Sequence, residues 1–174
     1  MFILQYRIPK EVKESIRRFS IDEFEEEIGE VEGQIKLDFN GVRYGGIDEE
    51  DNAFYNIFLV CWFKRLKECC NLLKVSKYIA FYIPETDNLW LEMNVIGDKI
   101  YIQRSRLVRD VITCYVVDRP YEDFVYYDWK NTVIEKKEFT DVVDRVTKEF
   151  VKEIRCLNPD ILEAVVFKEL LDNI

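Results

Sequence analysis

The chain has 174 residues, 48% apolar and 34% charged, with 34 acidic side chains against 25 basic ones and no histidine. That length suits one domain spanning 1–174, large enough to bury a core without disulfide support. A net charge of −9 argues against direct binding to a nucleic-acid backbone, and the lack of histidine removes the commonest general base and metal ligand.

In chain order, "FILQYRI" alternates apolar and polar residues and predicts a half-buried strand. "PKEVKESIRRF" changes to helical spacing with Val12, Ile16 and Phe19, Pro9 standing where a helix can begin. Ser20 is expected to cap a short helix whose inner side carries Ile21, Phe24 and Ile28. From Gly29 the period becomes two: Val31, Ile35, Leu37 and Phe39 share one face, and Glu30, Glu32, Gln34, Lys36 and Asp38 the other. Asn40-Gly41 is a two-residue hairpin signal, because both residue types accept positive φ, and "VRYGG" is the returning strand.

Residues 47–73 predict a central helix, capped by Asp48 or Asp51 and apolar on all sides over 57–63. Three strands follow, "KYIAFYIP", "NLWLEMNV" and "KIYIQRS", the last two joined across Gly97-Asp98. "DVITCYVV" is expected as a central strand and "YEDFVYYDW" as a weaker one. The C-terminal third predicts two helices, one over Phe139–Ile154 and one opened by Asn158-Pro159. The expected class is α+β: an antiparallel, meander-rich sheet with a central helix and two C-terminal helices packed on it.

The five cysteines, Cys61, Cys69, Cys70, Cys114 and Cys156, are odd in number and irregularly spaced, which suits reduced, buried thiols. The apolar run at the N-terminus is too short for a signal peptide, and nothing approaches the ~20 apolar residues of a membrane span. A soluble, cytoplasmic protein without a membrane partner is expected.

The negative charge is unevenly spread. Residues 20–51 hold 12 acidic side chains against Lys36 and Arg43, a net −10 that exceeds the charge of the whole chain. Clean apolar periods through this segment argue for an ordered surface rather than a solvated tail, and unrelieved like charge disfavours folding by a few tenths of a kcal/mol per neighbouring pair. The segment therefore reads as a face for a basic protein partner. Its candidate contacts are Glu25, Glu26, Glu30, Glu32, Asp38, Asp48 and Glu49, with Tyr44 as an anchor beside the hairpin. Trp90 and Glu92 share one face of their strand with Asn94 and form a second candidate contact.

Catalytic chemistry finds little support. No CxxC pair, phosphate-cradling glycine loop or nucleophile elbow occurs, and no cofactor is expected. "DEED" at 48–51 offers oxygen ligands for magnesium or calcium but lacks the spacing and turn glycine of a calcium loop. Glu92 and Asp98 flank a hairpin as the one conceivable acid pair. A carboxylate-dependent metal enzyme acting on phosphoesters, and an acidic adaptor or DNA mimic bound to another basic protein, stand as alternatives to the reading given next.

"EEEIGEVEGQIKLDFNGVRYGG", "FLVCWFKRL", "LWLEMNV" and "WKNTVIEKKEF…LNPDIL" together resemble the bacterial immunity proteins of polymorphic and contact-dependent growth inhibition toxin systems. The resemblance implies a non-enzymatic inhibitor that binds a cognate toxin domain, often a basic nuclease, inside the producing cell. These proteins share no binding-site motif that transfers to individual residues here.

Overall fold

The computed structural model describes residues 1–48, 57–108, 114–126 and 132–174. Alternation in the first segment builds β1 (Phe2–Arg7), which pairs antiparallel with β2 (Glu32–Phe39) from Phe2↔Phe39 to Arg7↔Gln34. Between them lie α1 (Lys10–Ile16) and α2 (Ile21–Glu27). β3 (Val42–Gly45) returns beside β2 across the Asn40-Gly41 turn, whose residues take φ of 54° and 93°. A two-residue strand β4 (Ile57–Phe58) pairs with the start of β2 and leads straight into α3 (Leu59–Leu72).

The second sheet is a meander of β5 (Tyr78–Tyr82), β6 (Leu89–Ile96) and β7 (Lys99–Leu107). β8 (Val116–Val117) extends it beyond β5, while β9 (Phe124–Tyr126) and β10 (Thr132–Glu135) both pair with β7. The chain closes with α4 (Lys136–Leu157), a 3-10 turn at Pro159–Glu163 and α5 (Val165–Leu171). All strand pairs described are antiparallel, so the α+β class read from the sequence holds.

The core lies between the sheets and the three helices α3, α4 and α5. Phe150 stacks on Phe63 at 4.6 Å, meets the edge of Tyr6 at 5.5 Å and approaches Phe167 at 6.2 Å, so one aromatic column joins β1, α3, α4 and α5. Burial of each such ring stabilises the fold by about 1.5–3 kcal/mol.

Four expectations change. The central helix begins at Leu59, because Phe58 is extended (ψ 96°) and pairs with Glu32; an apolar run this short reads equally well as strand or helix. Asp48 therefore precedes the helix, and Asp51 lies outside the described residues. Of the expected central strand 110–117, residues 110–113 lie outside the described residues, and Val116–Val117 stand at the end of the strand order beside β5. β10 is not among the predicted elements, since "TVIE" enters α4 without a turn signal. The last helix is broken at Ala164, whose extended backbone (ψ 149°) separates the 3-10 turn from α5.

The approach of β2 to α3 depends on Gly33. A Cβ there would lie 2.6 Å from the Arg7 carbonyl oxygen and overlap the Leu59 side chain. Gly33→Ala is expected to lower unfolding free energy in urea by about 1–3 kcal/mol, the usual range for overpacking. Gly46→Ala, where nothing lies within 4 Å, should leave it nearly unchanged.

Candidate functional site

The acidic segment begins with α2, and its local chemistry explains why a helix forms among so many carboxylates. The Ser20 hydroxyl accepts the Glu23 amide at 3.2 Å, and Glu23 Oε2 accepts the Ser20 amide at 2.8 Å, a reciprocal cap. The Ser20 amide, and then its hydroxyl, hold the Glu23 carboxyl below its ordinary value. On the inner side Phe24 is fully buried and faces Phe167. Glu25 Oε1 accepts the Val165 amide at 2.7 Å, which ties α2 to the first residue of α5.

Glu30 is not outward-facing, contrary to the alternation reading. Its side chain is 8% exposed and folded against the start of α3. Oε1 accepts the amides of Val31 and Val60, both at 2.8 Å, and Oε2 accepts that of Cys61 at 2.9 Å. The Leu59 amide donates to the Val31 carbonyl, and the Phe58 amide to Glu85 Oε2. Every early amide of a helix with no capping side chain of its own is thus satisfied from elsewhere in the chain. The negative charge also faces the positive end of the helix dipole. Burial pushes the Glu30 carboxyl up to about 7, while its three amide donors and nearby Lys64 draw it back.

Asp38 is likewise turned to internal use. It is buried, accepts the Gly41 amide at 2.6 Å and pairs with Arg43 Nε at 2.9 Å, and these contacts, the Arg43 bond foremost, hold its carboxyl below the ordinary range. Tyr44 is half-buried with its ring 5.4 Å from that of Trp62, and burial pushes its phenol up to about 12, so it is largely a core residue. The Asp48 amide donates to Gln34 Oε1 at 2.8 Å, and its carbonyl accepts Arg7. Glu49 lies outside the described residues.

Trp90 and Glu92 are not exposed either. Both are essentially buried on the second sheet, far along the chain from the acidic segment, with Tyr121 and Phe124 packed on Trp90. Glu25, Glu26 and Glu32 remain at the surface as expected, joined by Asp22 and Glu27. Among the described residues the side chains of Asp22, Glu26, Glu27 and Glu32 make no hydrogen bond or ion pair. Their neighbourhood continues past Glu25 to α5, where Glu25, Lys64, Val165 and Glu169 line a shallow groove. An adjoining groove is lined by Lys64, Glu68, Glu169 and Asp172. Lys64 pairs with Glu169, so one cation faces several carboxylates. No sequence period links α2 to α5, so this extension was not legible before folding.

Among the described residues no group of three or more acidic or thiol side chains is placed to hold a metal ion, and no helix is long and apolar enough to cross a membrane. Comparison with protein-family models, with curated proteins and with solved structures finds no match to this chain.

The Glu30 carboxyl gives the protein a defined pH response. Its folded value lies above the unfolded one of 4.5, so its stabilisation is complete below pH 4.5 and is lost as pH rises through about 7. Unfolding free energies of wild type and Glu30→Gln, measured from pH 4 to 8, should converge over that window by at most about 3 kcal/mol. Glu30→Ala, which orphans three amides, is expected to lose at least about 2 kcal/mol at pH 5.

Proposed function

We propose that this chain is an immunity-type inhibitor, which binds a cognate cationic toxin domain of the nuclease kind in the cytoplasm through the acidic surface of α2 and its continuation onto α5. The observation that carries this reading is the division of labour among the carboxylates. Glu23, Glu25, Glu30 and Asp38 are occupied within the fold, whereas Asp22, Glu26, Glu27 and Glu32 are exposed and have no cation partner among the described residues.

Asp22 and Glu26 stand four residues apart on one helix, a like-charge spacing that disfavours the helix by a few tenths of a kcal/mol. A basic partner relieves that repulsion, and opposite fields accelerate encounter. The helix that displays these groups is held at three points: the Ser20 cap, Phe24 against Phe167, and Glu25 on the Val165 amide. A surface fixed in this way loses little conformational freedom on binding. Val165 at 61% exposure and Ile28 at 38% add apolar contact area near the acids. The resemblance to immunity proteins agrees with this reading in charge and in role. Glu30, Asp38, Trp90 and Glu92 do not belong to the surface so defined.

The test starts from the product of the neighbouring gene. Co-expression of this chain should rescue cells from that product, and the two purified proteins should associate with a rate that falls steeply with salt. Reversal of Glu26, Glu27 and Glu32 to Lys should slow association at low salt by about tenfold or more and flatten its salt dependence. Glu122→Lys, at an exposed acid before β9, should leave the rate unchanged. An unaltered rate in the triple reversal, or no rescue by the wild-type chain, overturns the proposal.

A further inference from the structure

The outer face of the second sheet buries polar atoms that none of the described residues satisfies. Trp90 and Glu92, two residues apart on β6, project to the same side. The register places Tyr82 and Ser105 on either side of Trp90, and Ala80 and Gln103 on either side of Glu92. Trp90 and Ser105 are fully buried and Glu92 is 1% exposed, yet among the described residues Trp90 Nε1, Ser105 Oγ and Glu92 Oε1 have no hydrogen-bond partner. The second carboxylate oxygen, Oε2, accepts the Tyr78 hydroxyl at 2.7 Å. Buried polar groups are nearly always paired, so three orphans on adjacent positions of one sheet face require an account.

The surroundings indicate the chemistry that would satisfy them. Trp90 is ringed edge-to-face by Tyr82, Tyr121 and Phe124 at 5.6–5.8 Å, in a cluster separate from the main core. Ala80, between Tyr78 and Tyr82, supplies the smallest side chain of its row, directly beside Glu92. Among the described residues no Lys or Arg forms an ion pair with Glu92. A buried carboxylate with one open oxygen calls for a charged donor, and aromatic faces attract the same kind of group. Tyr126, opposite Ser105 and 57% exposed, marks the solvent side of the cluster. Burial, and then the Glu92 carboxylate, push its phenol above the ordinary value, so the Glu92 field reaches that ring.

We propose that Glu92, Tyr78, Ser105 and Trp90 form a binding site for a primary ammonium group, which donates to Glu92 Oε1 and Ser105 Oγ, while a hydroxyl or carbonyl oxygen carried beside it accepts the Trp90 indole N–H. Tyr78 is a positioning residue that fixes the carboxylate. The same ammonium chemistry belongs to a free amino alcohol and to a lysine side chain of a protein. The site is independent of the acidic surface on α2, and neither proposal rests on the other.

The test titrates the intact protein with ethanolamine, with methylammonium and with the blocked lysine N-acetyl-lysine amide, following the tryptophan indole N–H resonances by NMR. Saturable one-to-one binding is expected, with ethanolamine tighter than methylammonium because only it offers an acceptor to Trp90. The responding resonance should be the one lost in Trp90→Phe, and Glu92→Gln should weaken binding at least tenfold. Response to the blocked lysine alone assigns the ammonium to a protein side chain and supports the same chemistry. Should Glu92→Gln fail to fold, Ser105→Ala and Tyr78→Phe are read instead, each expected to weaken binding at least threefold. Shifts reproduced by sodium chloride at equal ionic strength, unchanged affinity in the variants, or a crystal structure grown in ethanolamine with only water at Glu92 overturns the proposal.

Discussion

The attachment of Glu30 to the first turn of α3 is the constraint on which the rest of the structure depends. A helix whose early amides are buried must find acceptors for them, and the residue at its own N-cap position is Phe58, which offers none. Both carboxylate oxygens of Glu30, the Val31 carbonyl and Glu85 supply them instead. The bonds run from the connection between α2 and β2 to the start of α3, so a helix about 30 residues further along the chain is fixed against it. Phe63, Leu66 and Trp62 then face the sheets and α4, and the aromatic column through Phe150 follows.

That use of Glu30 also explains why an acidic segment can fold without matching lysines. Several of its carboxylates bind backbone amides rather than cations: Glu23 at Ser20, Glu25 at Val165, Glu30 at α3, and Asp38 at Gly41 together with Arg43. Bonds from charged acceptors to amides are among the stronger hydrogen bonds in proteins. Among the described residues of the segment, Asp22, Glu26 and Glu27 on α2 and Glu32 on β2 are the exposed carboxylates whose side chains bind neither an amide nor a cation, fewer than the whole segment suggested. Proposed recognition therefore rests on fewer residues, three on a helix fixed at several points and one at the start of β2.

The second sheet has a different character. One of its faces joins the main core through Ile79, Phe81, Leu91, Met93, Ile100 and Ile102; the other carries Trp90, Glu92 and Ser105 under an aromatic cover. Both faces of β6 are thus buried, which strict alternation of apolar and polar residues does not anticipate. Leu91 and Met93 occupy the face that periodicity assigns to the core, whereas Trp90 and Glu92 are buried because Tyr121 and Phe124 fold over them.

The sequence by itself determined the α+β class, the Asn40-Gly41 and Gly97-Asp98 hairpins, the Ser20 cap, the Asn158 cap and the apolar face of α4, because each depends on residues within about a turn or a strand pair of one another; on α2 only Phe24 of the expected inner side is buried, and Ile28 is exposed. It also located the concentration of charge. Which carboxylates face solvent was decided only by tertiary structure. Gly29, with φ of 60°, ends α2 and breaks the strand phase, so Glu30 does not inherit the orientation of β2. Gln34 and Asp38, on the polar face of β2, are buried as well, met by the Asp48 amide and by the Gly41 amide with Arg43. The fate of a polar side chain depends on which distant amide or ring comes to lie over it, and no local period carries that information.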